Sequence, residues 1–393
     1  MKSYNAKQIT LLLFYTLSLL LAYIGFSSLL HSLTPAYGFA SIDGQYVGRD
    51  FLPFYAAAKQ AILGNIHSLY TKLGAYQATQ AVVPDLAEEK ISHWPWPYPP
   101  HYFLLIMPFA ELPYYFSLAA WLLLSIVLPS TALWYFWRVR GVFFFATILN
   151  LSIFICLIMG QNALILSAIA GIGMASIKKS PILAGICFSI LSVKPHFAIL
   201  LPIALIFGGY WRVLLYTIFN TIFLLIISNM IFGWDIFLIA AQHFSMVSET
   251  SFSTDTWIFS IYSTYRALLG SGFSVTHAWA LHFIVVGFAL YGVQNIWRKN
   301  YSLASKWLAF GIAAMLCTPF SFAYDTPWIF LPVMAWIYER TNKAGGLSVS
   351  VCILLSLQIF AFAIFSINNS LAILIILAAL ALLLSLDKKE NLV

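Results

Sequence analysis

A succession of long apolar runs joined by short basic connections constrains this chain most. Candidate membrane spans fall at 8–30, 114–136, 141–159, 162–177, 181–193, 196–210, 213–232, 277–297, 303–319, 327–338, 347–366 and 370–386. Segments that cross lipid must satisfy their backbone polar groups internally, which a helix does by itself. Only 8% of the residues are charged and 62% are hydrophobic, whereas soluble domains carry about a quarter charged residues. The expected fold is an all-α polytopic membrane protein: a single integral membrane domain over 1–393, a bundle of about twelve transmembrane helices. The first run is too long for the apolar core of a signal peptide and lacks a clear cleavage site, so it reads as an uncleaved span.

Charge placement tests that count. With the N-terminus cytoplasmic, 14 of the 20 basic residues lie inside, among them Arg138, Arg140, Lys178, Lys179, Arg212, Arg298, Lys299 and Lys306. Ten of the 13 acidic residues then lie outside, Asp43, Asp50, Asp235 and Asp325 among them. This is the asymmetry the positive-inside rule demands. Both termini are expected in the cytoplasm, and the net charge of +7 reports topology rather than nucleic-acid binding.

Two loops on the outer side are long, 31–113 and 233–276, and each holds an amphipathic stretch. In the first, RDFLPFYAAAKQAIL has apolar residues at 51, 54, 58, 61 and 62, a spacing that predicts a helix lying along the interface. After it comes WPWPYPPHYFLLIMPF, whose five prolines between 95 and 108 forbid a regular helix at its start. The segments 181–193 and 196–210, roughly 20 Å each, flank Lys194-Pro195-His196. Either they form a shallow hairpin or the membrane thins there, and both readings put Lys194 and His196 near the outer interface. A cation at the bilayer centre costs at least about 2.5–3.5 kcal/mol, so it needs a polar cavity or an anionic partner.

Each polar residue also has a plainer reading. Asp50 is a favoured residue type for capping the helix over 51–63, and Asp325 for capping one that starts at Pro327. Gln161-Asn162 suits a tight turn, Tyr98 and His101 suit interfacial anchoring, and Lys194 suits a snorkelling lysine. Cys156, Cys187, Cys317 and Cys352 all sit in apolar runs and read as buried thiols. His243, His277 and His282 lack metal-ligand spacing with acidic neighbours, so no metal is expected.

Several short motifs, taken in order, resemble those of a known family. They are Asp50-Phe51, Tyr55-Ala56-Ala57, Gly64 with Leu69-Tyr70, Tyr98-Pro99-Pro100, Gly160-Gln161-Asn162, Lys194-Pro195, Thr318-Pro319 and Tyr324-Asp325. The set is similar to the polyprenol-phosphate-dependent GT-C glycosyltransferases, and most similar to glycosyltransferase family 87, which includes mannosyltransferases. The resemblance implies a GT-C-like bundle and a sugar donor linked to polyprenyl phosphate. It further implies transfer on the periplasmic face of a bacterial inner membrane, with an acidic residue of the first outer loop, here Asp50, as base. The family usually has a small or apolar residue before that acid. This chain has Arg49, which would favour the ionised carboxylate.

The chemistry asks for little. An acceptor hydroxyl must lose a proton as the anomeric carbon is attacked, and one carboxylate within hydrogen-bond reach suffices. The phosphate leaving group needs donors for its developing charge, for which Lys194, His196 and Arg266 are the candidates. Arg49, Tyr55, Tyr98, His101, Gln161, Asn162, Tyr324 and Asp325 are candidate substrate contacts. Expected partners are the lipid-linked sugar, a glycolipid or glycan acceptor and membrane lipids, with no cofactor beyond the donor itself. Two other classes compete: a transporter, and a non-catalytic subunit that binds polyprenyl phosphate.

Overall fold

The structure, a computed structural model, describes residues 6–84, 96–243, 275–319 and 321–344. Helix α1 (Ala6–Leu33) leads into a small hairpin of β1 (Pro35–Tyr37) and β2 (Ala40–Ser41). The loop 31–113, expected on the outer side, then folds into α2 (Phe51–Ile62), α3 (Ile66–Leu69) and α4 (Lys72–Val82). A 3-10 turn at Pro100–Tyr102 opens α5 (Phe103–Ala110). The bundle continues with α6 (Tyr114–Thr131), α7 (Gly141–Ile148), α8 (Leu151–Met159), α9 (Ala163–Ser176) and α10 (Pro181–Ile190). It is completed by α11 (Pro195–Ala198), α12 (Leu200–Phe207), α13 (Trp211–Phe232), α14 (Val275–Arg298), α15 (Leu303–Cys317) and α16 (Pro327–Ala344).

Local chemistry explains the boundaries. Pro181, Pro195 and Pro327 occupy first-turn positions, where the missing N–H is no loss. Thr71, Asn150 and Ser302 each accept a backbone N–H with their side chains and start α4, α8 and α15. Asn150 thereby splits the expected span 141–159 into α7 and α8. Its Oδ1 takes the Ser152 N–H at 2.8 Å, and a new helix begins where hydropathy alone sees one run.

Among the described residues, three helices are long and apolar enough to cross a membrane: Tyr114–Phe136, Trp211–Phe232 and Thr276–Arg298. Their exposed faces carry large apolar groups such as Phe116, Leu123, Phe219, Phe223, Phe283 and Phe288, as suits lipid contact. Of the other expected spans, 162–177, 181–193, 196–210 and 303–319 coincide with shorter apolar helices, 8–30 falls within α1, 141–159 within α7 and α8, and 327–338 within α16, while 347–366 and 370–386 lie outside the described residues. So does most of the second outer loop.

The first outer loop departs from expectation. Helix α2 forms where the periodicity puts it, yet Phe51, Leu52, Phe54, Tyr55, Ala56, Ala57, Ala58 and Ala61 are all buried. A helix covered on so many faces is packed in protein rather than laid on a membrane surface. The aromatic stretch after it behaves likewise: Trp96, Tyr98 and Tyr102 are buried and pack edge-on against Phe54 with ring centroids 5.5–6.0 Å apart. The anchoring reading of Tyr98 and His101 is therefore replaced by a core role beside the site.

Successive turns sort the polar residues to two ends of the bundle. The turns at 160–162 and 191–195 meet the first outer loop at one end. The turns holding Lys178, Tyr210, Arg298 and Lys306 gather at the other, since Lys178 lies within electrostatic reach of both Tyr210 and Lys306.

Candidate active site

Asp50 sits at the entrance to α2 because of an unusual approach. Gly48 (φ 85°) and Arg49 (φ 41°) are both left-handed, and at Arg49 this conformation is strained for a side chain with a Cβ. Two such residues swing the Asp50 N–H onto the Met159 carbonyl at 3.0 Å, joining the loop to the end of α8. There Gly160 (φ 64°) turns the chain so closely that a Cβ would lie 2.5 Å from the Gly48 carbonyl oxygen. Trp121 Nε1 holds the same turn by donating to the Gly160 carbonyl at 2.9 Å.

The carboxylate of Asp50 does not cap its helix; it makes no bond to the α2 N–H groups. Instead Gln161 Nε2 donates to Oδ2 at 2.8 Å. Gln161 is itself held: its Oε1 accepts the Asn162 N–H at 3.3 Å and faces the Tyr98 hydroxyl at 3.5 Å. Asn162 Nδ2 in turn donates to the Tyr102 hydroxyl at 3.0 Å. The turn is thus a polar bracket around one carboxylate, and Gln161-Asn162 is more than a turn.

Burial raises the pKa of Asp50 above its ordinary value. The Gln161 amide, then Arg49 and Lys194, oppose the shift, and the nearby Asp325 carboxylate adds to it. The side chain still keeps partial contact with solvent. Arg49 acts in the expected direction, toward the ionised carboxylate, but its guanidinium is paired with Asp43 at 2.6 Å and desolvation prevails. The result is a carboxylate with more proton affinity than a free one.

Lys194 and Asp325, distant in sequence, form a buried ion pair at 2.5 Å. Asp325 Oδ2 also accepts the Phe322 N–H at 3.0 Å, so it caps its turn and holds the lysine at once. The ammonium lies 5.0 Å from the centre of the Phe197 ring and 5.5 Å from that of Tyr324. The snorkelling reading of Lys194 is excluded, since it is 5% exposed and points into protein. Both partners lie within electrostatic reach of Asp50. His196 is half-exposed beside them, its ring 4.9 Å from that of Phe197.

His101 is buried, with Nε2 2.9 Å from Ser192 Oγ. The Ser192 hydroxyl already donates to the Ser189 carbonyl at 2.6 Å, so His101 is the donor and carries its proton on Nε2. Burial pushes its pKa down to about 4, which keeps the ring neutral. His101 thus ties the first outer loop to the Lys194 segment. Tyr55 does not reach the site: its hydroxyl donates to the Leu112 carbonyl at 2.8 Å and its ring packs on Tyr114. Arg266 lies outside the described residues.

Three contributors escape sequence reading. Tyr102 is in the aromatic stretch but carries no separate signal. Ser192 and Trp121 sit in apolar runs and are revealed only by their partners across 91 and 39 residues of chain.

This is a helical membrane protein with a half-buried acid, bracketed by an amide and within electrostatic reach of a buried lysine, at one end of its bundle. A model of glycosyltransferase family 87 matches residues 96–319, more than half of the chain, and the chain belongs to that family. The match spans Tyr98, His101, Gln161, Asn162, Lys194 and His196, while Asp50 and Asp325 lie outside it. No curated protein and no solved structure matches the chain.

Proposed function

We propose that the protein transfers a sugar, mannose or a similar hexose or pentose, from a polyprenyl-phosphate donor to a lipid-linked or envelope-glycan hydroxyl. Asp50 acts as general base. The bond between Gln161 and Oδ2 carries this reading, because it holds the carboxylate in one orientation with Oδ1 bonded to none of the described residues and open to an acceptor hydroxyl. As the oxygen attacks the anomeric carbon, its proton passes to Asp50 and the sugar–phosphate bond breaks. A single base on the face opposite the leaving group gives inversion. The phosphate departs as a stable anion, so no general acid is required.

Lys194 has three N–H donors, of which Asp325 engages one. The other two, with His196, are suited to a phosphate oxygen, and Asp325 keeps the ammonium aimed. Family membership favours catalysis over the transporter and subunit alternatives. The reaction is assigned to the periplasmic face of a bacterial inner membrane, with the basic end of the bundle and both termini in the cytoplasm. Purified protein given radiolabelled polyprenyl-phosphate mannose, or the corresponding nucleotide sugar, separates the donor classes. Label should reach a glycolipid acceptor from the lipid-linked donor alone; transfer from the nucleotide sugar alone would refute the donor assignment.

A further inference from the structure

At the end of the bundle away from Asp50, Lys306 presents an unsolved electrostatic problem. It is 5% exposed, at the first turn of α15, and three turns, roughly 17 Å, from the Cys317 end that faces the site. Its ammonium donates to one neutral group, the Tyr210 hydroxyl at 3.2 Å. It lies 5.2 Å from the centre of the Tyr210 ring and 6.0 Å from that of Trp297. Among the described residues no carboxylate pairs with it, and the charge within electrostatic reach is another cation, Lys178. Burying a cation beside a like charge is unfavourable by several kcal/mol unless an anion joins them.

The surroundings describe that anion. Lys178, at the end of α9, is exposed. Tyr210, between α12 and α13, accepts from Lys306 with its hydroxyl and lies within electrostatic reach of Lys178. Trp297 Nε1 donates to the Lys306 carbonyl at 3.2 Å and Arg298 covers Phe207, so α14 closes one side with an aromatic wall and leaves another cation at the rim. A buried ammonium bonded to a phenol, with a second ammonium within electrostatic reach of both, suits a phosphate oxyanion, and the apolar faces of α13 and α14 beside them suit acyl chains.

We propose that the cluster of Lys178, Tyr210, Trp297 and Lys306 binds the phosphodiester headgroup of an anionic membrane lipid, at a site separate from the one around Asp50. The lipid completes the charge balance that the described residues leave open. The proposal is independent of the sugar-transfer reading, because its readout is binding and not turnover.

The test is thermal unfolding of the full-length protein in neutral detergent, with phosphatidylglycerol, phosphatidylcholine or inorganic phosphate added. Phosphatidylglycerol should raise Tm by about 2 °C or more, with the other two inert. Lys306→Met should abolish that increment and, without lipid, should unfold no earlier than wild type, since it removes an unpaired buried charge. Lys178→Gln, a surface change, should weaken the phosphatidylglycerol effect without disturbing the fold. Equal shifts with phosphatidylcholine, a phosphatidylglycerol shift that survives in Lys306→Met, or a shift reproduced by inorganic phosphate would each overturn the lipid assignment.

Discussion

Replacing Gln161 with leucine removes the amide donor to Asp50, together with the acceptor that its Oε1 offers the Asn162 N–H and the Tyr98 hydroxyl, and the effect on Asp50 can be worked through. The Nε2–Oδ2 bond at 2.8 Å favours the ionised carboxylate. A hydrogen bond to a charged group is worth about 1.5–3 kcal/mol. Its loss therefore raises the Asp50 pKa further. A general base works only when deprotonated, so the acid limb of the pH–rate profile tracks that pKa and must move toward higher pH. Below the new pKa the rate falls by the protonated fraction; well above it, most activity returns. The assay is kcat/KM against pH with a lipid-linked sugar donor, comparing wild type, Gln161→Leu and Gln161→Glu. Leucine should shift the acid limb upward. Glutamate, a like charge beside Asp50, should shift it at least as far. An acid limb that stays in place in both variants would refute the idea that Gln161 tunes the base.

Other outcomes follow from the same geometry. Breaking the buried pair with Lys194→Met or Asp325→Leu alone should cost about 3–5 kcal/mol of stability, while the double variant recovers much of it and remains inactive; denaturation with parallel turnover assays checks both parts. Gly160→Ala puts a Cβ 2.5 Å from the Gly48 carbonyl oxygen at a left-handed φ, and should lower both Tm and turnover by prising the 48–50 loop from α8. Tyr55→Phe should lose about 0.5–1.5 kcal/mol with its bond to Leu112 and leave kcat and KM unchanged, as that side chain faces away from the site.

Much of the site was legible because charge is so scarce in this chain. In apolar surroundings Asp50, Lys194 and Asp325 needed a reason to exist, and short motifs set Gln161-Asn162 and Tyr98 beside them in chain order. Their pairing was not legible. Nothing local tells Lys194 that its counterion lies 131 residues away, or Asp50 that its donor is 111 residues on. Hydropathy cannot separate an apolar surface that meets lipid from one that meets protein, so α2 and the Trp96–Tyr102 stretch read as interfacial although they are core. It also runs through Asn150, whose cap splits 141–159. Tyr55 illustrates the reverse failure: a residue placed at the site by motif, and turned away from it by the helix it occupies.

The account rests on the carboxylate at position 50. Burial holds its folded pKa above the ordinary 3.8. Ionisation therefore disfavours folding: stability is fullest below 3.8, declines as pH rises through the folded pKa, and stays reduced above it. Asp50→Asn removes that penalty and the base together. The decisive measurement is turnover of radiolabelled polyprenyl-phosphate sugar by purified Asp50→Asn at neutral pH, with its Tm recorded on the same sample. The account predicts transfer at background with a Tm no lower than wild type; turnover at the wild-type rate would contradict it.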